Sequence, residues 1–334
     1  MKTRISHISY HLPKNILTNR ELASILKCQE KELDKKFGII SRHVRNEGEV
    51  GSDLAIAAID NRILEQKSEF DFLIYCSESS DFVAPPTSVN IHRRLKFPNT
   101  CACFDLPLGC SGFIYSFGVA SALISSGQAN KILLLFAEIP TSVIHSEDYD
   151  LRAIFGDAGC AVIVERTDSE FQSKFQYGTD SEGLKFLSVL DSRTKSPINS
   201  NWLEKYKNER DFLAFGRMEM NGLEVFRFSI ERVPTLFKQV LEKHDFTIED
   251  IDLFVFHQAS SLILRSLQKK LNIPKEKFFE YFENIGNTVS CSIPIALKEA
   301  ENQGKLKEGD KVMLLAFGIG FAWGGTIIEW KKLD

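Results

Sequence analysis

The chain has 334 residues, of which 43% are hydrophobic and 26% are charged, and its formal net charge is −4. This composition is typical of a globular protein that is large enough to bury a sizeable core. Lysines and arginines are scattered among acidic residues, so the sequence lacks the basic footprint of a nucleic-acid-binding protein.

The N-terminal stretch "MKTRISHISYHLPKN" contains charges and a proline where a signal peptide needs an unbroken apolar run. No window approaches the roughly 20 apolar residues of a membrane span. We therefore expect a cytoplasmic protein with no membrane partner and with reduced cysteines. Cysteine and histidine pairs at zinc-ligand spacing are missing, so we expect no metal site.

The first half of the chain predicts helices alternating with buried strands. An amphipathic segment, "SDLAIAAIDNRILEQ" (52–66), precedes the apolar run "FDFLIYCSESS" (70–80), and a second run, "NKILLLFAEI", covers 130–139. Continuous apolar strands that alternate with helices are typical of α/β units around a sheet buried on both faces. The polar stretch "DSRTKSPINSNWLEKYKNER" (191–210) then predicts a surface loop.

The second half repeats this pattern. The helical segment "SIERVPTLFKQVLEKH" (229–244) is followed by the runs "IDLFVFHQASS" (251–261) and "DKVMLLAFGIG" (310–320). Asp71 and Lys131 are 60 positions apart in the first half, and Asp252 and Lys311 are 59 apart in the second. We therefore predict two duplicated α/β halves, residues 1–170 and 227–334, separated by an irregular loop and cap region at 171–226.

Cys110 lies where a strand-like run (100–106) turns into a helical pattern. The residues that follow it with helical spacing are apolar, namely Phe113, Phe117, Ala120 and Ile124. The sulfur is then at a helix N-terminus, where the helix dipole and free amides lower a cysteine pKa. The alternative is a buried structural cysteine, because cysteine is among the most buried residue types.

Three further features resemble parts of a site. His257 directly follows an apolar strand, and catalytic groups concentrate at such strand ends. Asn287 lies in a glycine-containing turn before a helix whose first turn accommodates Pro294. The glycine-punctuated loop "AFGIGFAWGG" (316–325), which contains Gly320, allows close backbone approach to a ligand but lacks the dinucleotide-binding fingerprint. Taken singly, these features also fit a core histidine and an ordinary turn asparagine.

Six segments of the chain are "LGCSGF", "FGDAGCAVIVE", "MNGLEVFR", "FHQAS", "GNTVSCSIPIAL" and "AFGIGFAWGG". Together they resemble the β-ketoacyl-acyl-carrier-protein synthase III family of thiolase-superfamily condensing enzymes. The segments occur in the family's order and approximate spacing, over nearly the whole chain. This resemblance implies a thiolase-like fold, with two duplicated α/β halves in a layered α-β-α-β-α body. It also implies a homodimer.

The resemblance implies that Cys110 is the acylated nucleophile and that His257 and Asn287 are catalytic. The backbone amides of Cys110 and Ile319 correspond to an oxyanion hole. In the implied reaction, Cys110 takes an acyl group from a thioester and condenses it decarboxylatively with a malonyl-type thioester to a β-ketoacyl product. This reaction serves fatty-acid initiation or a specialised-metabolite or polyketide pathway, with acyl-CoA and acyl-carrier-protein thioesters as substrates and no permanently bound cofactor.

The resemblance also implies binding residues. Arg152 and Gly320 are expected to contact the substrate, although "EKELDKKFGII" lacks the tryptophan that often stacks on coenzyme A in the family. Carrier-protein docking is expected at a basic face formed by Arg227, Arg265, Lys269 and Lys270. Two alternatives to the condensation are cysteine-dependent acyl transfer to a hydroxyl, amine or β-ketoacyl acceptor without decarboxylation, and an inactive thiolase-fold binding partner.

Overall fold

The computed structural model describes residues 2–145, 147–190 and 216–333. Its strands are β1 (Lys2–His11), β2 (Asn15–Thr18), β3 (Ser41–Val44), β4 (Phe72–Cys76), β5 (Ala102–Leu106), β6 (Lys131–Glu138), β7 (Ala158–Thr167), β8 (Gln176–Thr179), β9 (Leu187–Ser188), β10 (Glu219–Met220), β11 (Leu253–Phe256), β12 (Lys311–Gly318) and β13 (Ala322–Glu329). All seven cysteines are unpaired thiols.

The helices of these segments are α1 (Asn19–Leu26), α2 (Glu30–Phe37), α3 (Gly51–Ala57), α4 (Asn61–Glu65), α5 (Thr87–Leu95), α6 (Gly112–Ser125), α7 (Tyr149–Ile154), α8 (Gly222–His244), α9 (Ser261–Lys270) and α10 (Ser292–Asn302). The predicted helix at 52–66 is two helices, because the Asp60 side chain caps a new helix by accepting the Ile63 N–H. Among the described residues, no helix is both long and apolar enough to cross a membrane.

Two sheets carry the fold, and they share one topology. The first has the order β1-β7-β6-β4-β5, and the second has the order β8-β13-β12-β11. In each sheet the first two pairings are antiparallel and the third is parallel. A parallel bridge between Phe254 and Phe278 lies where β5 lies in the first sheet. The predicted duplication is therefore confirmed.

The matched spacing of the two halves has a physical cause. The Asp71 N–H donates to the Lys131 carbonyl (2.9 Å), and its carboxylate accepts the Lys131 N–H (3.2 Å). Asp252 makes the same two contacts with Lys311, at 2.9 and 2.7 Å. In both sheets an aspartate just before one strand binds the first residue of the parallel strand beside it. This contact sets the same register in both strand pairs.

Five layers result from the packing of helices on these sheets. Helix α6 contacts strands of both sheets and lies between them together with α10, whereas α3 and α5 cover the outer face of the first sheet and α8 covers that of the second, with α9 packed beside it. This confirms the predicted α-β-α-β-α body. Successive residues of β6 alternate between the inner core (Ile132, Leu134, Phe136) and the outer core (Leu133, Leu135, Ala137). Burial of both faces explains the continuous apolar runs.

The boundaries predicted at 170 and 227, and the loop and cap region between them, stay a prediction, and the structure describes only part of that region. Residues 176–179 form β8, an edge strand of the second sheet, and α8 begins at Gly222 with Asn221 as its cap. The predicted surface loop at 191–210 lies outside the described residues.

The start of α6 packs closely on the end of β4. A Cβ on Gly112 would lie 2.5 Å from the Cys76 sulfur, so only glycine permits this approach. The next residue, Phe113, is fully buried, with its ring centroid 5.6 Å from that of Phe136. These contacts hold the N-terminal end of α6 against the carboxyl end of the first sheet.

We expect Phe113→Ala to lower the free energy of unfolding by about 3–5 kcal/mol, because it opens a cavity between the two sheets. Leu184→Ala is the control, since Leu184 is 56% exposed and its truncation should change stability by less than about 0.5 kcal/mol. Equilibrium urea denaturation measures both. Equal losses for the two variants would contradict a core centred on α6.

Candidate active site

Cys110 lies at the N-terminal end of α6, where the sequence predicts it, and it is buried. Two backbone amides contact its sulfur, those of Ile319 and of Cys110 itself. Gly318 makes this approach possible, because a Cβ there would lie 2.5 Å from the Cys110 Cβ and 2.6 Å from its sulfur. The two amides expected to form an oxyanion hole therefore lie beside the sulfur.

The expectation that the helix N-terminus lowers the pKa of Cys110 is wrong. Burial raises this pKa to about 12, and the two amide hydrogen bonds offset only part of the shift. The carboxylates of Glu78 and Glu138 raise it further by repelling a thiolate. The resting nucleophile is therefore a neutral thiol.

His257 directly follows β11 and is buried. Its Nδ1 lies 2.7 Å from the Ser292 hydroxyl oxygen, which also accepts the Gln258 N–H at 3.4 Å. With the serine proton donated to Nδ1, the ring proton is on Nε2. Burial lowers the pKa of His257 to about 3, although a backbone contact of Val289 opposes the shift. The imidazole is neutral at physiological pH.

Asn287 is held by both its backbone and its side chain. Its N–H donates to the Ile154 carbonyl (2.8 Å), and its carbonyl accepts the Gly156 N–H (3.1 Å). Its side-chain Oδ1 accepts the Val289 N–H at 2.9 Å. Because the oxygen is occupied, the Nδ2 amino group is left as the donor of this buried side chain.

One cavity brings the three residues together. Cys110, His257 and Asn287 line a cavity of about 400 Å³, together with Gly318. The exposed Leu223 and Leu262 also line it, as does the ion pair between Lys36 and Asp150 (2.6 Å). The exposed side chains of α8 and α9 form its mouth, and we name this space the outer cavity.

A second cavity, of about 580 Å³, also reaches Cys110, and we name it the inner cavity. Apolar residues form much of its wall, including Ile139, Val143, Leu187, Met218 and Val289. Cys110 lines both cavities. A group bound to its sulfur therefore has space in one cavity, and a second molecule has access through the other.

Comparisons with known proteins agree with this arrangement. Family models for the 3-oxoacyl-[acyl-carrier-protein] synthase III and for its C-terminal part match residues 104–182 and 241–330. The β-ketoacyl-[acyl-carrier-protein] synthase III of Clostridium acetobutylicum is 30% identical over 325 residues, which are 96% of this chain and 97% of that protein. The chain belongs to the 3-oxoacyl-[acyl-carrier-protein] synthase III family.

Solved structures support the same assignment. A crystal structure of a 3-oxoacyl-(acyl-carrier-protein) synthase III has a TM-score of 0.92 at 32% identity, covering 99% of this chain and 100% of the other. The priming β-ketosynthase of the R1128 polyketide pathway has a TM-score of 0.88 at 25% identity, covering 100% and 97%. The predicted family, thiolase-like fold and acyltransferase class are therefore confirmed.

Two residues expected to bind substrate are not in the walls of the two cavities that Cys110 lines. Arg152 is on α7 and lines a separate cavity of about 420 Å³ with Arg42, Arg45 and Arg217. Gly320 is not among the described residues that line the outer or the inner cavity. The structure thus places Ile319, but neither Arg152 nor Gly320, beside Cys110.

The four residues expected to dock a carrier protein lie on two packed helices, α8 and α9. Arg227, Arg265, Lys269 and Lys270 are all exposed. Arg227 pairs with Glu231 at 3.0 Å, and Arg265 pairs with Glu280 at 3.6 Å. The same two helices carry Leu223 and Leu262 at the mouth of the outer cavity.

The sequence analysis did not identify two glutamates and two serines that lie around Cys110 and His257. Glu78 follows β4 and Glu138 ends β6, and both line the inner cavity. Ser290 donates to Glu138 at 2.6 Å, and Ser292 orients His257. The sequence pattern that could have identified Glu78 and Glu138 is a glutamate at the carboxyl end of each of two neighbouring parallel strands.

We expect Gly318→Ala to slow alkylation of Cys110 by iodoacetamide about ten- to hundredfold, because the added methyl group occupies the space of the thiol. Gly222→Ala is the matched control, since its Cβ would meet only the Met220 methyl carbon, at 3.9 Å. Mass spectrometry of the Cys110 peptide gives both rates. Equal rates in the two variants would show that Gly318 does not set access to the sulfur.

Proposed function

We propose that Cys110 takes an acyl group from a thioester and condenses it decarboxylatively with a malonyl-type thioester, giving a β-ketoacyl product. The meeting of two cavities at the Cys110 sulfur, with His257 and Asn287 in the outer one, carries this proposal. A condensing enzyme must hold an electrophile and generate a carbanion next to it. The inner cavity suits the first requirement, and the outer cavity suits the second.

In the acylation step, the sulfur attacks the thioester carbonyl and the donor thiol leaves. Negative charge develops on the carbonyl oxygen during the attack. The amides of Cys110 and Ile319 already lie against the sulfur and would donate to that oxygen. The acyl chain then extends into the inner cavity, where apolar side chains cover it.

In the condensation step, the malonyl-type thioester occupies the outer cavity and loses CO₂. The electron pair moves onto the thioester oxygen, where His257 Nε2–H and Asn287 Nδ2–H donate hydrogen bonds. A lost donor of this kind costs roughly 3 kcal/mol of transition-state stabilisation. The enolate carbon attacks the acyl carbonyl, and collapse of the tetrahedral intermediate releases the Cys110 sulfur. The low pKa of His257 keeps it a neutral donor.

We infer that the acyl donor is an acyl-carrier protein or an acyl-CoA bound differently from the family's usual clamp. The stretch "EKELDKKFGII" has no tryptophan, and Arg152 lines a different cavity. Carrier docking at Arg227, Arg265, Lys269 and Lys270 is supported by their exposure on the helices that flank the outer-cavity mouth. Such a basic face attracts an acidic partner. The thioesters are substrates, and the reaction needs no resident cofactor.

We also infer a cytoplasmic homodimer. The segment that follows the inner-cavity residues 78–80 exposes an apolar run, in which Phe82 is 49% and Val83 is 77% exposed. Pro85 and Pro86 continue this exposed run. Contiguous exposed apolar surface of this kind is typical of an interface. A second copy of the chain would cover it beside the inner cavity.

We expect His257→Ala and Asn287→Ala each to lower malonyl decarboxylation and β-ketoacyl product formation about 10²- to 10³-fold, because each removes one donor to the enolate oxygen. Labelled CO₂ release and product mass spectrometry measure the two outcomes. Asn284→Ala is the control, since Asn284 is exposed in the same loop. Wild-type rates in either site variant would contradict the assignment. A condensed or transferred acyl product formed without CO₂ would instead indicate non-decarboxylative acyl transfer.

A further inference from the structure

The acylation step proposed above requires a proton acceptor, and this inference rests on that step. The Cys110 thiol is neutral in the resting protein because burial raises its pKa to about 12. Its proton must therefore leave as the sulfur attacks the thioester. A general base for this transfer must lie within reach of the sulfur and must be unprotonated at working pH.

Two neighbours of Cys110 are poor acceptors. His257 is neutral, but its pKa of about 3 makes it too weak a base to hold the proton at neutral pH. Glu138 is fully buried, and burial together with repulsion from Glu78 raises its pKa well above the usual carboxyl range. Its Oε1 accepts the Ser290 hydroxyl at 2.6 Å. Its Oε2 accepts the Glu78 N–H at 3.4 Å, so both carboxylate oxygens of Glu138 are already engaged.

Glu78 is the remaining candidate, and it lies beside the nucleophile. A Cβ on Gly109 would be 2.5 Å from Glu78 Oε2 and 2.8 Å from the Ile319 Cγ2, so the carboxylate and Ile319 both pack on the residue before Cys110. Glu78 and Cys110 also share the wall of the inner cavity. Within the described part of the chain, no side chain donates a hydrogen bond to the Glu78 carboxylate.

We propose that Glu78 is the general base that accepts the Cys110 thiol proton during acylation. The S–H bond breaks as the bond between Cys110 Sγ and the acyl carbon forms, and the proton passes to a Glu78 carboxylate oxygen. The bond between the acyl carbon and the donor sulfur breaks, and its electron pair leaves with that sulfur. The departing thiolate then takes the proton from Glu78, which returns to its carboxylate form.

The electrostatics of the inner cavity fit this role. Glu78 is exposed to the cavity but closely surrounded by protein, and this burial raises its pKa to about 7. The titratable groups that face it are Cys76, Cys110 and Glu138. No lysine, arginine or histidine occurs among the described residues that line this cavity. A base with a pKa near the working pH is both available and able to hold the proton.

The test compares acylation with alkylation of Cys110 in Glu78→Gln, Glu78→Asp and wild type between pH 5.5 and 8.5. Single-turnover acylation is followed by intact-protein mass, using whichever of acetyl-, butyryl- and octanoyl-CoA or their carrier-protein thioesters loads wild type fastest. We expect Glu78→Gln to lower the acylation rate at least about 10²-fold and to lose its rise through pH 7, with Glu78→Asp retaining that rise. Alkylation by iodoacetamide also requires loss of the Cys110 proton, so we expect it to slow in Glu78→Gln as well and to regain its rise with pH in Glu78→Asp.

Three results would overturn the proposal. Acylation of Glu78→Gln at or above the wild-type rate would show that Glu78 only repels the thiolate. A parallel fall of acylation and alkylation, with no recovery of the pH-dependent rise in Glu78→Asp, would show that the substitution distorts the site. Failure of wild type to acylate with any thioester, while iodoacetamide still reacts, would remove the proposed function itself.

Discussion

The close packing of α6 between the two sheets determines where the nucleophile lies. Gly112 lets the start of this helix approach Cys76 on β4, and Gly318 lets the end of β12 approach Cys110. These two contacts, one from each sheet, hold the sulfur at the junction of the two halves. The outer and inner cavities meet at that junction, so the geometry of the site follows from how the duplicated halves pack.

Burial then sets the charge state of every titratable group around the sulfur, in a direction that depends on the group. It makes Cys110 a neutral thiol and His257 a neutral imidazole, and it raises the pKa of Glu138 well above the usual carboxyl range. Glu78 is exposed to the cavity and is shifted less, to a pKa of about 7. Neutral donors on the outer side and one titrating carboxylate on the inner side suit a reaction that forms an enolate and moves one proton.

Much of this fold can be predicted from the sequence, because strands buried on both faces are continuous apolar runs. Strands β4, β6, β11 and β12 are of this kind, and Asp71 and Asp252 fix the spacing within each pair. The positions of Cys110, His257 and Asn287 also follow from local motifs and from the family resemblance. Cys110 precedes a helix, His257 follows a strand, and Asn287 lies in the turn before α10.

Other features depend on tertiary contacts that the sequence does not display. The pKa of Cys110 depends on Glu78 and Glu138, which lie 32 residues before it and 28 after it. Ser292, at the start of α10, orients His257 at the end of β11. Arg152 lines a separate cavity. A helix N-terminus is a local signal for a lowered cysteine pKa, but the burial that reverses it is visible only in the folded chain.

The central claim is that Cys110 carries the acyl group, and intact-protein mass tests it most directly. The protein is incubated with acyl-CoA and acyl-carrier thioesters of increasing chain length, beside a Cys110→Ala variant. The account predicts a mass gain equal to one acyl group for particular chain lengths, located on the Cys110 peptide and absent from the variant. An equal gain in Cys110→Ala, or no gain with any thioester, would contradict it.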